Sequence, residues 1–102
     1  MASIGSTSVS VELGVSTPQI DYLPLTLAGI EYLYTFPANT REYWFVNWSD
    51  SMIEYGYVFG GNKMPLHIKE AREKTKLTLT GSLTVYFKST KPSGLVKIEY
   101  WV

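Results

Sequence analysis

The sequence has no cysteine, only one histidine (His67) and no long uninterrupted hydrophobic run. Without cysteine the chain has no disulfides, no thiol nucleophile and none of the commonest structural zinc ligands, so its stability must come from packing. A single histidine cannot form a multi-histidine metal site, and the neighbours of His67 favour a strand or loop surface. The apolar stretches fall far short of the roughly 20 residues that cross a bilayer. We therefore predict no metal, no cofactor and no membrane span.

A net charge is also absent, because nine basic and nine acidic side chains cancel. The chain thus has no overall field that would attract a phosphate backbone or an anionic membrane. The first residues, "MASIGSTSVSVELG", lack the basic and apolar regions of a signal peptide. We expect synthesis in the cytoplasm, with neither nucleic acid nor a membrane as the main partner.

What the sequence does have is hydrophobic alternation with period two, rich in β-branched and aromatic residues. With 102 residues, of which 45% are hydrophobic, it fits one domain with one core. Turn signals separate about seven or eight short strands, the pattern of a sandwich or small barrel. We predict an all-β fold, a single jelly-roll-like antiparallel β-sandwich over residues 9–102, preceded by an extended Ser/Thr-rich arm at residues 1–8.

The strand predictions follow from this alternation. The segment "TSVSVELGV" is predicted to be a half-buried strand, and Pro18 and Pro24 in the next segment favour an edge strand or a crossover. The segment "LHIKEAREKTK" has mixed charges and no sustained apolar stripe, which favours a turn of helix or an exposed loop. Four residues, Ile53, Tyr55, Tyr57 and Phe59, are predicted to line one strand. Near the end, "STKPSG" is predicted to form an open hairpin leading into "GLVKIEYWV", with Val96, Ile98, Tyr100 and Val102 closing the core.

Two strands carry apolar bulk on both faces. In "REYWFVNW", Tyr43 and Phe45 occupy one face and large apolar residues occupy the other, and the last strand adds Leu95 and Trp101 to an otherwise polar face. A strand of this kind is either buried on both faces or exposes an apolar face that can bind another molecule. The resulting interface candidates are Trp44, Val46, Trp48, Leu95 and Trp101.

Catalytic groups are few. Glu54 and Glu99 are predicted to point outward from strands and could face each other as glycosidase carboxylates do, although two solvated strand residues are the simpler interpretation. No nucleophile elbow or nucleotide-binding fingerprint is present. A binding role is the other possibility. In it, Trp44, Trp48, Tyr57 and Trp101 form a platform of aromatic residues on which sugar rings or bases stack. The sequence favours a protein without enzymatic activity.

Two segments carry a family likeness. The segment beginning "YTFPANTREYWFVNW", with its turn at Asn39 and Thr40, and the later "VYFKS" and terminal "IEYW" runs resemble small structural proteins of tailed bacteriophages, such as capsid decoration and head or tail accessory proteins. The likeness covers residues 34 to 60 and 77 to 102, whereas "HIKEAREKTK" departs from the family pattern. The resemblance implies an antiparallel β-sandwich that decorates or connects parts of a virion and has no enzymatic activity.

The preferred functional hypothesis is therefore a virion structural protein that associates with itself, as a trimer by analogy with the family, and docks on a major capsid or tail protein. The open edges of a small sandwich favour such assembly, because identical copies can cover them. The alternative is a carbohydrate-binding β-sandwich module that uses its surface aromatic residues.

Overall fold

A computed structural model of the protein describes residues 18–74 and 79–102. Its elements are eight β-strands: β1 (Gln19–Leu25), β2 (Glu31–Phe36), β3 (Glu42–Asn47), β4 (Ile53–Gly56), β5 (Met64–Leu66), β6 (Ala71–Lys74), β7 (Leu83–Ser89) and β8 (Gly94–Trp101). The predicted arm at residues 1–8 and the predicted strand at residues 7–15 lie outside the described residues.

The strands form two antiparallel sheets of four. Sheet 1 has the order β1-β8-β3-β6 and sheet 2 has the order β2-β7-β4-β5. The antiparallel pairs are nested, since β1 pairs with β8, β2 with β7, β3 with β6 and β4 with β5. Nested pairing distributed over two facing sheets is the jelly-roll arrangement. The predicted all-β sandwich is thus confirmed.

The core fills the space between the two sheets. Phe45 of β3 meets Phe87 of β7 edge to face, with ring centroids 5.1 Å apart, and Phe36 of β2 stacks on Tyr43 of β3 at 4.4 Å. Each of these pairs joins a strand of one sheet to a strand of the other, which is how alternating strands build a sandwich core. The buried cluster consists of Leu25, Phe36, Tyr43, Phe45, Ile53, Tyr55, Leu66, Val85, Phe87, Val96 and Ile98.

Polar residues close the turns where the sequence signals them. In the predicted turn at residues 37–40, Asn39 has a positive φ of 72° and the buried Thr40 donates its hydroxyl hydrogen bond to the Pro37 carbonyl at 2.7 Å. The side-chain amide of Asn47, also fully buried, donates to the carbonyls of Ser51 and Leu66. Because buried polar groups are costly unless paired, these bonds fix the connections between sheets.

Pro24 lies in β1, an edge strand of the described part of sheet 1, as the sequence predicts. A proline at this position removes one backbone donor, which is tolerated at an edge.

The prediction for "LHIKEAREKTK" is wrong with respect to the helix. In this region β5 ends at Leu66, a turn follows, and Ala71–Lys74 form β6 at the other edge of sheet 1. Lys69 occupies the turn with a positive φ of 63° and donates its backbone N–H to the Asn47 carbonyl at 2.9 Å, while the Glu70 N–H bonds the His67 carbonyl. Pairing with β3 therefore outweighs the helical composition, and His67 is exposed in the turn.

The connection "STKPSG" does not form a hairpin. β7 belongs to sheet 2 and β8 to sheet 1, so the segment crosses from one sheet to the other. Ser93 adopts a positive φ of 64° within it, and the Ser89 hydroxyl donates to the Lys91 carbonyl at 2.6 Å. The turn residues and the length of this segment fit a hairpin and a crossover between sheets equally well.

The predicted fourth strand is shorter than its alternation suggests. β4 ends at Gly56, and the next residues leave the sheet as a loop that folds back over its outer face. The absence of a side chain at Gly56 permits this, because a Cβ there would lie 2.8 Å from the Asn62 carbonyl oxygen. Tyr57 and Phe59 are consequently 44% and 72% exposed instead of lining the core.

Candidate interaction surface

The outer face of sheet 1 brings together the large residues that alternate with the core. On β8 the outward residues run in the order Leu95, Lys97, Glu99 and Trp101, and the strand register sets Lys97 opposite Val46. The same register sets Glu99 opposite Trp44 of β3, and directly opposed residues of an antiparallel pair share a face. We call this surface the aromatic face; its apolar members are Ile20, Tyr22, Trp44, Val46, Trp48, Leu95 and Trp101.

The structure places all five sequence-predicted interface candidates on this face. Trp101 lies opposite Glu42, which sets it diagonally from Trp44, and the Trp48 backbone N–H donates to the Leu95 carbonyl at 2.9 Å. Their common location is a direct result of the β3–β8 register.

The five candidates differ in how much surface they offer. Trp48 is 44% exposed, and Trp44, Leu95 and Trp101 are half-buried. Val46 is only 4% exposed, because it lies in the middle of the face with Lys97 and Ala71 opposite it on the two flanking strands. Val46 is therefore a buried member of the aromatic face and offers almost no area to a partner.

Two exposed members of the face come from β1, and the sequence interpretation missed them. Ile20 and Tyr22 are 49% and 54% exposed, opposite Glu99 and Lys97 of β8. Pro18 and Pro24 interrupt the apolar alternation of this segment and so obscured it. The signal that was available is the period-two spacing of Ile20, Tyr22 and Pro24, which places them on one face of a strand.

Charged side chains lie among the aromatic residues. The Lys97 ammonium is 3.4 Å from the Glu99 carboxylate, and these side chains are 22% and 13% exposed. Lys97 also lies over the rings of Trp44 and Trp48, at 5.9 and 5.3 Å from their centroids, and Lys69 lies 4.3 Å from the Trp48 ring centroid. Cations at such distances are attracted by the negative face of an indole.

A shallow cleft of about 240 Å³ lies at the β6 side of the aromatic face, where Trp44, Ala71 and Glu73 line it. Ala71 contributes little bulk, so the indole of Trp44 and the carboxylate of Glu73 form its principal walls. An aromatic surface beside a hydrogen-bond acceptor is the usual composition of a small-molecule site.

The outer face of sheet 2 is different, because the loop after β4 covers part of it. Glu31 of β2 accepts hydrogen bonds from the Gly60 N–H through both carboxylate oxygens, at 3.1 and 3.0 Å, and its carboxylate lies 3.1 Å from the Lys63 ammonium. The Gly60 hydrogen bond, and secondarily Lys63, lower the pKa of Glu31 below its ordinary value. Phe59 packs edge to face on Tyr86 at 5.8 Å. The loop is thus anchored on this face, whereas on the aromatic face Ile20, Tyr22 and Trp48 stay 44–54% exposed.

The carboxylate pair considered from the sequence is not assembled. Glu99 lies on the outer face of sheet 1, whereas Glu54 lies opposite Lys88 on the outer face of sheet 2. The whole core separates the two carboxylates, so they cannot act on one glycosidic bond. Tyr57 also lies away from the aromatic face, in the loop after β4, where its ring meets that of Tyr55 at 6.2 Å and its hydroxyl neighbours the inward-facing Tyr43.

Within residues 18–74 and 79–102 there is no group of three or more His, Asp or Glu side chains that could hold a metal ion. The same residues contain no helix long and apolar enough to cross a membrane. No protein-family model matches the chain, and neither a curated protein nor a solved structure matches it significantly.

Proposed function

We propose that this protein is a non-enzymatic structural protein of a bacteriophage particle, a capsid decoration or head or tail accessory protein. In this proposal it associates with itself and docks on a major capsid or tail protein through the aromatic face. The observation that carries the proposal is the aromatic face itself, where Ile20, Tyr22 and Trp48 are each between 44% and 54% exposed. Clustered apolar side chains of this kind mark sites of protein association.

The composition of the face supports association with a protein. Tryptophan and tyrosine are enriched at protein interfaces because they bury a large area at a small cost in conformational entropy. Tyr22, Trp44 and Trp48 lie on one face of one sheet, so a single partner can contact them together.

The contrast between the two outer faces also supports the proposal. Phe59 and the rest of its loop pack over part of sheet 2, anchored through Glu31 and Lys63. On the aromatic face, Ile20, Tyr22 and Trp48 stay 44–54% exposed, which leaves them available to another molecule. Jelly rolls are common among viral capsid domains, which agrees with the proposed location on a virion by analogy of fold.

The proposal is tested by measuring the molar mass in solution by size-exclusion chromatography with light scattering. We expect the wild-type protein to be larger than one chain at tens of micromolar and Trp48→Ala to shift it toward the monomer, because truncating a tryptophan that anchors an interface costs about 2 kcal/mol or more of binding. Leu33→Ala is the matched control, since Leu33 is 55% exposed on the other sheet. A monomeric wild type, or equal effects of the two variants, would count against self-association through this face.

Docking on the virion requires a separate measurement. Purified particles lacking this protein should bind the wild-type chain, and Trp44→Ala and Trp48→Ala should reduce the bound amount while Leu33→Ala should not. Undiminished binding of the tryptophan variants would place the docking site elsewhere.

A carbohydrate-binding module is the second candidate, and the cleft between Trp44 and Glu73 is the observation that favours it. It ranks second because Lys97 and Lys69 lie over the indole rings on which a sugar would stack. Titration with host polysaccharides, followed by tryptophan fluorescence, separates the two hypotheses. Quenching by a glycan that Trp44→Ala abolishes would favour the carbohydrate module.

A further inference from the structure

The charges of the aromatic face are separated along the strand direction. At one end, Glu99 of β8 and Glu73 of β6 lie opposite Trp44 on its two sides, and Glu42 precedes it by two residues on β3. Lysines lie toward the other end: Lys97 is the next outward residue after Glu99 on β8, and the Lys69 ammonium lies over Trp48. The face therefore has an acidic end and a basic end.

Such a face is complementary to itself. A two-fold axis that lies in the plane between two facing copies and runs across the strands leaves each strand above its own counterpart and reverses its direction. Each residue of one copy then faces the residue of the other copy that lies at the same distance along the strand on the opposite side of the axis. In an isologous interface of this kind, each contact occurs twice.

We propose that a second copy of this chain covers the aromatic face, related by a two-fold axis that runs across the strands between the level of Glu99 and the level of Lys97. In this arrangement Glu99 of each copy faces Lys97 of the other. This inference rests on the proposed self-association and specifies its geometry; it differs from the trimer that the family resemblance implies.

The apolar residues fit the same symmetry. Ile20 and Glu99 occupy one level of the sheet, and Tyr22 and Lys97 occupy the next. The axis therefore places Ile20 against Tyr22 of the second copy, burying two residues that are about half exposed in the single chain. On β8 it places Trp101 against Leu95 of the second copy.

The acidic end has a further partner. On β3, Glu42 comes to face Trp48 of the second copy, over which that copy's Lys69 lies. The rotation thus brings unlike charges together at both the centre and the ends of the face, whereas superposing the two faces without reversal would bring like charges together. Unlike charges fix the register of an interface and exclude the alternative.

The size of the face sets the strength to be expected. Four strands and eight residues give about 19 Å by 26 Å, or about 500 Å² of flat area per copy. Two copies bury about 1,000 Å², which is below the roughly 1,200 Å² at which stable interfaces begin and is typical of weak association. The pair should therefore dissociate on dilution.

The test uses two variants that are each self-repelling and mutually complementary. Lys97→Glu leaves only acidic groups at the centre of the face, and Glu99→Lys leaves only basic ones, so each alone should associate roughly tenfold or more weakly than the wild type, measured by sedimentation equilibrium. Mixed in equal amounts, they should form a one-to-one complex at least as tight as the wild-type pair, because every facing charge is then opposite.

Two controls separate charge pairing on this face from a general effect of net charge and from a loss of folding. Lys88→Glu and Glu54→Lys make the same changes in net charge at opposed positions on the outer face of sheet 2, and their mixture should associate no more tightly than the wild type. The double variant Lys97→Glu/Glu99→Lys restores the facing pairs within one chain and should assemble like the wild type, which also shows that the substitutions do not impair folding.

The outcomes distinguish this geometry from the proposed function. If the wild type assembles and Trp48→Ala dissociates it, but the charge variants associate normally or their mixture does not recover, the two-fold arrangement is wrong and self-association stands. A wild-type trimer likewise overturns the two-fold arrangement alone. A wild type that stays monomeric at tens of micromolar overturns both.

Discussion

At the scale of single residues, Gly94 occupies a position with no room for a side chain. It begins β8 and is buried, and a Cβ there would lie 2.7 Å from the Ser89 hydroxyl oxygen and 3.2 Å from the Leu25 Cβ. The Ser89 hydroxyl is itself held by its hydrogen bond to Lys91. Glycine is therefore required by the close approach of the connection between β7 and β8.

We expect Gly94→Ala to destabilise the protein by about 1–3 kcal/mol, because overpacking a filled site forces its neighbours to move. The measurement is the urea midpoint of unfolding. Gly81→Ala is the matched control, since a Cβ there meets nothing within 4 Å, and we expect it to stay within about 0.5 kcal/mol of the wild type. Equal midpoints for both variants would contradict the close packing around Gly94.

Tyrosine hydroxyls at one end of the core make stability sensitive to alkaline pH. Burial, and then the hydrogen bond of 2.5 Å that its hydroxyl donates to Asp21, raise the pKa of Tyr34. Burial, and then the neighbouring Tyr57, raise the pKa of Tyr43. Since tyrosine is charged above its pKa, the folded state favours the neutral form of both.

The unfolded chain releases these protons near pH 10, whereas the folded chain retains them to higher pH. The stabilisation is therefore complete below about pH 10 and is lost as the pH rises above it. We expect the unfolding midpoint to fall more steeply between pH 9 and 11 in the wild type than in Tyr34→Phe, which lacks one of these hydroxyls. Identical alkaline slopes would show that Tyr34 titrates alike in both states.

At the scale of elements, β8 is the strand on which sheet 1 depends. It pairs with β1 on one side and β3 on the other, and its inward residues Val96 and Ile98 are fully buried. The sequence-based prediction for the end of this strand is only partly right. Tyr100 packs against the core, but Val102 lies beyond the strand and is 59% exposed, so it does not close the core.

Two truncations separate these residues. We expect removal of Val102 alone to leave the melting temperature almost unchanged, because an exposed residue outside the strand contributes little. Removal of residues 99–102 should unfold or aggregate the protein, since it deletes pairs with both neighbouring strands and the contribution of Tyr100, on the order of 2 kcal/mol from apolar burial. A residue 99–102 deletion with an unchanged melting temperature would refute the role of this strand.

Glu31 holds the loop after β4 in place outside the two sheets. Its carboxylate accepts from the Gly60 N–H and pairs with the nearly buried Lys63, which fixes the loop after β4 on sheet 2. Sequence alternation alone predicts a longer strand there, since Tyr57 and Phe59 continue the pattern of Ile53 and Tyr55. The ion pair joins residues 32 positions apart, so no local pattern reveals it.

At the scale of the whole molecule, the proposed assembly should couple stability to concentration. A partner that binds only the folded chain raises the free energy of unfolding by mass action, and this increase grows with protein concentration. We expect the melting temperature of the wild type to rise as its concentration is increased across the micromolar range. Trp48→Ala should melt at a temperature independent of concentration, measured by scanning calorimetry. A wild-type melting temperature that does not change with dilution would speak against association of folded chains.

The all-β fold and the inward or outward direction of most strand side chains are predictable from local sequence patterns. The alternation in β3 assigns Phe45 inward and Trp44 outward whatever the fold, because successive side chains of a strand point to opposite sides. The same reasoning identified the outward candidates of β3 and β8, whereas the two prolines indicated an edge strand or a crossover for the segment that forms β1.

Which strands are neighbours, and therefore which outward residues share a surface, emerges only in the folded chain. Ile20 and Trp101 are 81 positions apart in the sequence, yet the pairing of β8 with β1 and β3 places both on the aromatic face. Pairing also turned the helix-like residues 71–74 into a strand, separated Glu54 from Glu99 and buried Val46. The physical reason is that alternation is a local property of the backbone, whereas neighbourhood depends on the packing of two whole sheets around one core.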